Sequence, residues 1–148
     1  MLYSGSCAYA VRALSRLATA PAAPLVKLQD LAREEHIPYP FLAKICNDLV
    51  SAGLLRSARG PHGGFGLTRE PKAISLYDIR AAVDGIEDLE ACVLGLDECP
   101  GNQPCALHET WKPRRAEIER YLRDTTLADA AHALVLATRP AKRPPRRA

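Results

Sequence analysis

Residues 54–68 read LLRSARGPHGGFGLT, two short apolar-bearing runs held apart by Arg-Gly-Pro-His-Gly-Gly. Glycine and proline gathered between strand-forming residues interrupt any helix, so the stretch predicts a β-hairpin with a mobile tip. What precedes it gives the hairpin its meaning. Over residues 7–19, Tyr9, Ala10, Ala13, Leu14 and Leu17 recur at helical spacing until PAAP stops them, which is a first helix. Residues 27–35, KLQDLAREE, give a short second helix with Leu28, Leu31 and Ala32 on one face, and HIPYP breaks it. Pro40 then falls in the first turn of a third helix, where its missing N–H costs nothing. The stripe Leu42, Ile45, Cys46, Leu49 and Val50 follows and stops at Gly53. Three helices and a hairpin, in that order, make a winged helix-turn-helix domain.

The rest of the chain extends this head. Ser75 and Asp78 form a capping box for a fourth helix, SLYDIRAAVD, which Gly85 ends. Residues 86–104 show no periodicity. From Cys105 the pattern resumes through Leu107, Trp111, Ile118 and Leu122 on a long helix, bent at Pro113, and Thr126 with Asp129 caps a last short helix. The expected fold is therefore mainly α with a small β-hairpin wing: a winged helix-turn-helix domain followed by a long helix. With 47% apolar residues but only 5% aromatic, the core must be built from Leu, Ile, Val and Ala.

Charge divides the chain the same way. Residues 1–72 carry nine Lys/Arg against five Asp/Glu, residues 73–138 six against twelve, and the tail 139–148, RPAKRPPRRA, five against none. A basic head and a basic, disordered tail suit a polyanionic partner, whereas the acidic middle has another task. Arg12 and Arg16 interrupt the first apolar stretch, no basic segment precedes it, and no run is long enough to cross a bilayer. The expectation is a cytoplasmic protein that engages no membrane.

Five cysteines cannot all pair. Cys7 and Cys46 lie alone inside helical stripes and read as small core residues. Cys92, Cys99, Cys105 and His108 instead crowd together as Cys-x6-Cys-x5-Cys-x2-His. That spacing is neither the paired Cys-x2-Cys of structural zinc nor a ferredoxin run. Cys105 and His108 share one face of a helix that starts near Cys105, so a sulfur and an imidazole can meet one metal. An iron-sulfur cluster, zinc, a metal-free thiol switch and a Cys/His nucleophile pair all remain open, although no third orienting group supports the last.

The stretches CAYAVRAL (7–14), IPYPFLAKI (37–45) and AGLLRSARGPHGGF (52–65), with spaced cysteines after AAVDG (81–85), resemble the Rrf-two type of bacterial winged-helix regulators to about residue 130. That family includes the IscR-like iron-sulfur sensors. The resemblance implies a homodimeric transcription regulator that binds double-stranded DNA and pairs through its long helix. It divides the chain into a DNA-binding domain at 1–72, a cluster-binding loop with dimerisation helices at 73–138, and the tail. It also implies Cys92, Cys99, Cys105 and His108 as cluster ligands, since some members use a histidine three residues after the last cysteine. Those members hold [2Fe-2S], which is favoured here over [4Fe-4S]. The first cysteine spacing is one residue longer than the IscR-like pattern. Ala8 stands where nitric-oxide sensors of the family carry an acidic ligand, leaving Cys7, Asp97, Glu98 and Glu109 as alternatives for a fourth position.

The physics of groove recognition names the DNA contacts. A recognition helix enters the major groove by its N-terminal end, which points to Tyr39, Pro40, Phe41, Ala43 and Lys44, with Asn47 one turn on. Proline and phenylalanine meet thymine methyls, and Lys44 supplies charge or a guanine contact. Arg59, before the glycine-rich tip, suits a narrow minor groove, while Arg56 and His62 suit phosphate.

Overall fold

The computed structural model describes residues 2–20, 25–90, 92–94 and 106–138. Ser4 starts helix α1 (Gly5–Thr19) by accepting the Cys7 N–H on its hydroxyl at 3.1 Å, and the helix buries Cys7, Ala10, Val11, Ala13, Leu14 and Ser15. Helix α2 (Leu28–Glu35) ends on His36, which takes the left-handed conformation at φ 53. The Ile37 N–H then reaches back to the Ala32 carbonyl at 2.9 Å and turns the chain sharply into helix α3 (Tyr39–Ser51). Pro40 lies in its first turn, as its fixed φ favours.

Strands β1 (Leu55–Ala58) and β2 (Gly64–Leu67) pair antiparallel, with Leu55 opposite Leu67 and Ala58 opposite Gly64. The hairpin is not alone. Val26 and Phe65 exchange both backbone hydrogen bonds at 2.9 Å, which adds a third short rung to the wing from the segment before α2. Periodicity gives no signal for such a single-residue bridge between segments far apart in sequence.

After a 3-10 turn at Pro71–Ala73 come α4 (Leu76–Val83), a four-residue turn α5 (Glu87–Glu90), α6 (Ala106–Asp124) and α7 (Leu127–Thr138). Both expected capping boxes form. Asp78 N–H donates to Ser75 Oγ at 3.1 Å, and Asp129 N–H to Thr126 Oγ1 at 3.2 Å, each with the return bond from the cap N–H at 2.9 Å. Each is worth about 1 kcal/mol. The Thr126 hydrogen bonds hold the Asp129 carboxyl below its ordinary range. Leu76 N–H to Thr125 O at 2.9 Å and Leu127 N–H to Ile74 O at 2.8 Å tie the starts of α4 and α7 together.

Leu14, Leu31, Leu42, Leu49, Leu54, Ile74, Ile79, Leu122 and Leu127 are fully buried in one contiguous core. Leu122 and Leu127 enter it from α6 and α7, so the C-terminal helices share the core of the head, and α7 packs along α1. Cys7 and Cys46 sit in the same core at 0% exposure, as small apolar residues would. Two short elements, the 3-10 turn and α5, were not marked by the sequence, because neither is long enough to show a period. Among the described residues no helix is long and apolar enough to cross a membrane.

Candidate nucleic-acid interface and cluster site

Helix α3 turns Leu42, Ile45, Cys46 and Leu49 inward, which fixes what it presents outward. Tyr39 is 50% exposed and Phe41 60%, with Pro40, Lys44 and Asn47 exposed beside them and Ala43 half-buried. Two large aromatic side chains left in water at one helix end are an apolar surface that folding does not use. Lys44 Nζ lies 3.0 Å from Asp48 Oδ2, one turn on, so its charge is shared with a carboxylate on the same face. Asp48 was not among the expected contacts. The i,i+4 spacing was its signal, and a carboxylate there can accept from a cytosine amino group or repel phosphate.

The wing follows α3 at its C-terminal end. Leu54 N–H donates to Leu49 O at 2.9 Å and Thr68 Oγ1 to Gly53 O at 2.5 Å, which anchors the hairpin on the end of α3. Arg56, Arg59 and His62 are all exposed, Arg56 on β1 and the other two in the turn. The Val26–Phe65 bridge also brings exposed Lys27, at the N-terminus of α2, beside the wing. Sequence reasoning did not single out Lys27; only the general basicity of the head hinted at it.

Of the four expected cluster ligands, the structure describes two. Cys92 is a partly exposed free thiol that follows α5, and His108 lies half-buried in the first turn of α6. Cys99 and Cys105 lie outside the described residues, as do Asp97 and Glu98. Among the described residues no three His, Cys, Asp or Glu side chains converge as a metal site. Glu109 is exposed on α6.

Cys7 fits poorly as a substitute ligand. It is fully buried, and its thiol is pushed up to about 12, chiefly by burial and then by the charge of Asp84, against which Arg80 acts. A ligand must be a thiolate that a metal can reach. Trp111, one turn after His108 on the same helical face, has a buried indole N–H with no hydrogen-bond partner among the described residues. An orphaned buried donor is costly, and a thiolate or sulfide acceptor nearby would satisfy it. Three sulfurs and an imidazole are a soft donor set, suited to an iron-sulfur core or to zinc.

A family model described as iron-dependent transcriptional regulators, Rrf2, matches residues 3–133. Over 131 residues the chain is 34% identical to an Aquifex aeolicus protein assigned as an HTH-type transcriptional regulator, a match that spans 87% of this chain and 90% of that one. Among solved structures it is similar to CymR, the global cysteine regulator of B. subtilis, at 27% identity and a TM-score of 0.73, over 88% of this chain and 95% of that one. It is similar also to T. potens IscR, at 27% identity and a TM-score of 0.70, over 93% and 90%.

Proposed function

The chain belongs to the Rrf2 family of transcriptional regulators, and we propose that it is a homodimer whose affinity for operator DNA is set by an iron-sulfur cluster on Cys92, Cys99, Cys105 and His108. The observation that carries the DNA reading is the exposed Tyr39 and Phe41 at the N-terminal end of α3, in a head that also carries an exposed cationic wing. Apolar side chains there read thymine methyls; Lys44, Asn47, Arg56, Arg59 and His62 supply polar and phosphate contacts. On this reading residues 1–72 are the DNA-binding unit, 73–138 carry the cluster and the dimer helices, and 139–148 add nonspecific charge attraction in the cytoplasm.

Exposed Leu107 and Tyr121 on α6, with Val135 and Leu136 on α7, support association between copies. An apolar cleft of about 470 Å³ between α1 and the last two helices, lined by Tyr3, Val11, Leu76, Tyr121 and Leu134, shares Tyr121 with these side chains.

The cluster reading rests on the Cys3His donor set and on the Trp111 N–H, one turn from His108, which has no partner among the described residues. Cluster binding supplies a redox- and iron-sensitive bond network. It shifts DNA affinity only by as much as it favours one conformation over another. By resemblance to the family's histidine-ligated members, the cluster proposed is [2Fe-2S] rather than [4Fe-4S]. Likeness to CymR, a cysteine regulator, favours a second reading in which the same thiols respond without a cluster; the soft donor set would equally suit zinc.

Anaerobic purification separates these readings. Visible charge-transfer bands, stoichiometric iron and sulfide, and different operator affinities for loaded and metal-free protein are expected. A colourless protein containing zinc, or one whose DNA affinity follows thiol oxidation alone, overturns the cluster reading. Regulation, not catalysis, is the activity proposed.

A further inference from the structure

Arg80 is the largest fully buried side chain among the described residues, at 2% exposure. Nothing in SLYDIRAAVD marks it, since a lone arginine on a helix is ordinarily solvated. Here its Nε donates to the Leu2 carbonyl at 3.1 Å and its Nη1 to the Gly85 carbonyl at 2.7 Å. One guanidinium therefore grips the segment that leads into α1 and the residue that opens the stretch towards Cys92. Asp84, the C-cap of α4, reinforces the grip: it accepts the Ser4 N–H at 2.8 Å and the Ser4 hydroxyl. Ser4 in turn caps α1.

We propose that Arg80 is a positioning residue that couples the cysteine-bearing stretch to the DNA-binding head, by holding Gly85 and Leu2 as one unit. The proposal rests on the reading that Cys92 is a cluster ligand, seven positions beyond Gly85. A buried guanidinium cannot give up a hydrogen bond cheaply, because no water replaces the lost acceptor. When Gly85 shifts, Arg80 must follow it, and Leu2 must follow Arg80. Discrete re-pairing of this kind transmits a displacement where a soft contact would absorb it. Helix α1, which receives the displacement through Ser4, packs against both α3 and α7. The clamp therefore lies between the proposed sensor and the recognition helix.

Gly85 offers a perturbation that needs no cofactor. It has φ +76, which disfavours any side chain, and a Cβ there runs into the Glu87 carboxylate. The test is a cycle of Gly85→Ala and Arg80→Met, read by amide exchange in metal-free protein. With Arg80 present, Gly85→Ala should speed exchange at residues 85–90 and also at the Ser4, Cys7 and Ala8 amides, by about fivefold or more, the lower end of ordinary site-to-site coupling. In the Arg80→Met background the effect should stay within 85–90, and Arg80→Lys should restore part of the N-terminal response. A merely structural arginine would leave the N-terminal response to Gly85→Ala the same in both backgrounds, and that result overturns the proposal. If Arg80→Met does not fold, Asp84→Asn, which weakens only the Ser4 side of the clamp, carries the same cycle.

A second arm compares duplex DNA selected from a random pool by the wild-type protein. The affinity ratio of loaded to metal-free protein should fall towards one in Arg80→Met at unchanged iron and sulfide content. Wild-type protein that takes up no iron or sulfide overturns the cluster reading, and the exchange cycle then decides the clamp by itself.

Discussion

Gly64→Ala should detach the wing from the body of the protein. Gly64 has φ +152, and a Cβ built there lies 2.6 Å from the Val26 carbonyl carbon and 3.1 Å from the Lys27 nitrogen. Ordinary contact distance is larger by roughly 1 Å, so Val26 must move away. Moving it breaks the two 2.9 Å bonds between Val26 and Phe65. Two backbone bonds contribute about 2 kcal/mol net, and forcing a side chain into this backbone conformation costs about 1–3 kcal/mol more. The core does not bear that cost, because β1 buries only Leu55 and β2 is half-buried throughout. Releasing the wing is cheaper than unfolding α1–α4, so the global loss should stop at about 2–3 kcal/mol. Amide exchange at Val26 and Phe65 should accelerate towards that of an exposed loop while the α1 and α3 amides stay protected. Operator affinity, measured by fluorescence anisotropy, should fall by about 5- to 150-fold through loss of the oriented Arg59, equivalent to about 1–3 kcal/mol. Retained protection at Val26 and Phe65 with unchanged DNA affinity would refute the assignment of this bridge as what orients the wing.

Arg59→Ala by itself should cost about 1–3 kcal/mol of operator binding at unchanged cluster content; an affinity equal to wild type across a salt titration removes Arg59 from the contacts. His108→Ala should still assemble a cluster, but a more labile one with altered spectrum and potential. His108→Cys should restore four-coordination and lower the potential, and a wild-type spectrum and potential after His108→Ala would pass the ligand role elsewhere. Burial pushes the Cys7 thiol up to about 12 and the Cys46 thiol up to about 11, against about 9 when unfolded. The fold therefore keeps both protonated, and their contribution is complete below pH 9 and is lost as pH rises through 11–12. Denaturant midpoints should decline from pH 9 upward, less steeply in the Cys7→Ala, Cys46→Ala variant. At pH 8 iodoacetamide should modify Cys92 while leaving Cys7 and Cys46 intact; early labelling of either would contradict its burial.

The local code was readable. Helices α1 to α4 and the hairpin follow from apolar spacing and from Gly and Pro punctuation, and both capping boxes were visible as Ser75/Asp78 and Thr126/Asp129. These signals act within four residues, so a linear pattern contains them. The site was less legible. The exposed faces of α3 follow once its buried stripe is known, but Asp48 pairing with Lys44 depends on rotamers, and Lys27 joins the wing only through a distant bridge.

By itself the sequence determined the order of the longer helices and the wing, most of the apolar face that α1 and α3 bury, and the grouping of three cysteines with a histidine, because periodicity and spacing are properties of neighbouring positions. Tertiary structure decided which distant segments meet: Val26 with Phe65, Leu122 and Leu127 with the core of the head, and Arg80 with Leu2. No local preference encodes those meetings. They arise because, once the apolar stripes are packed, each buried backbone or charged group must find a partner in whatever segment the packing has brought beside it.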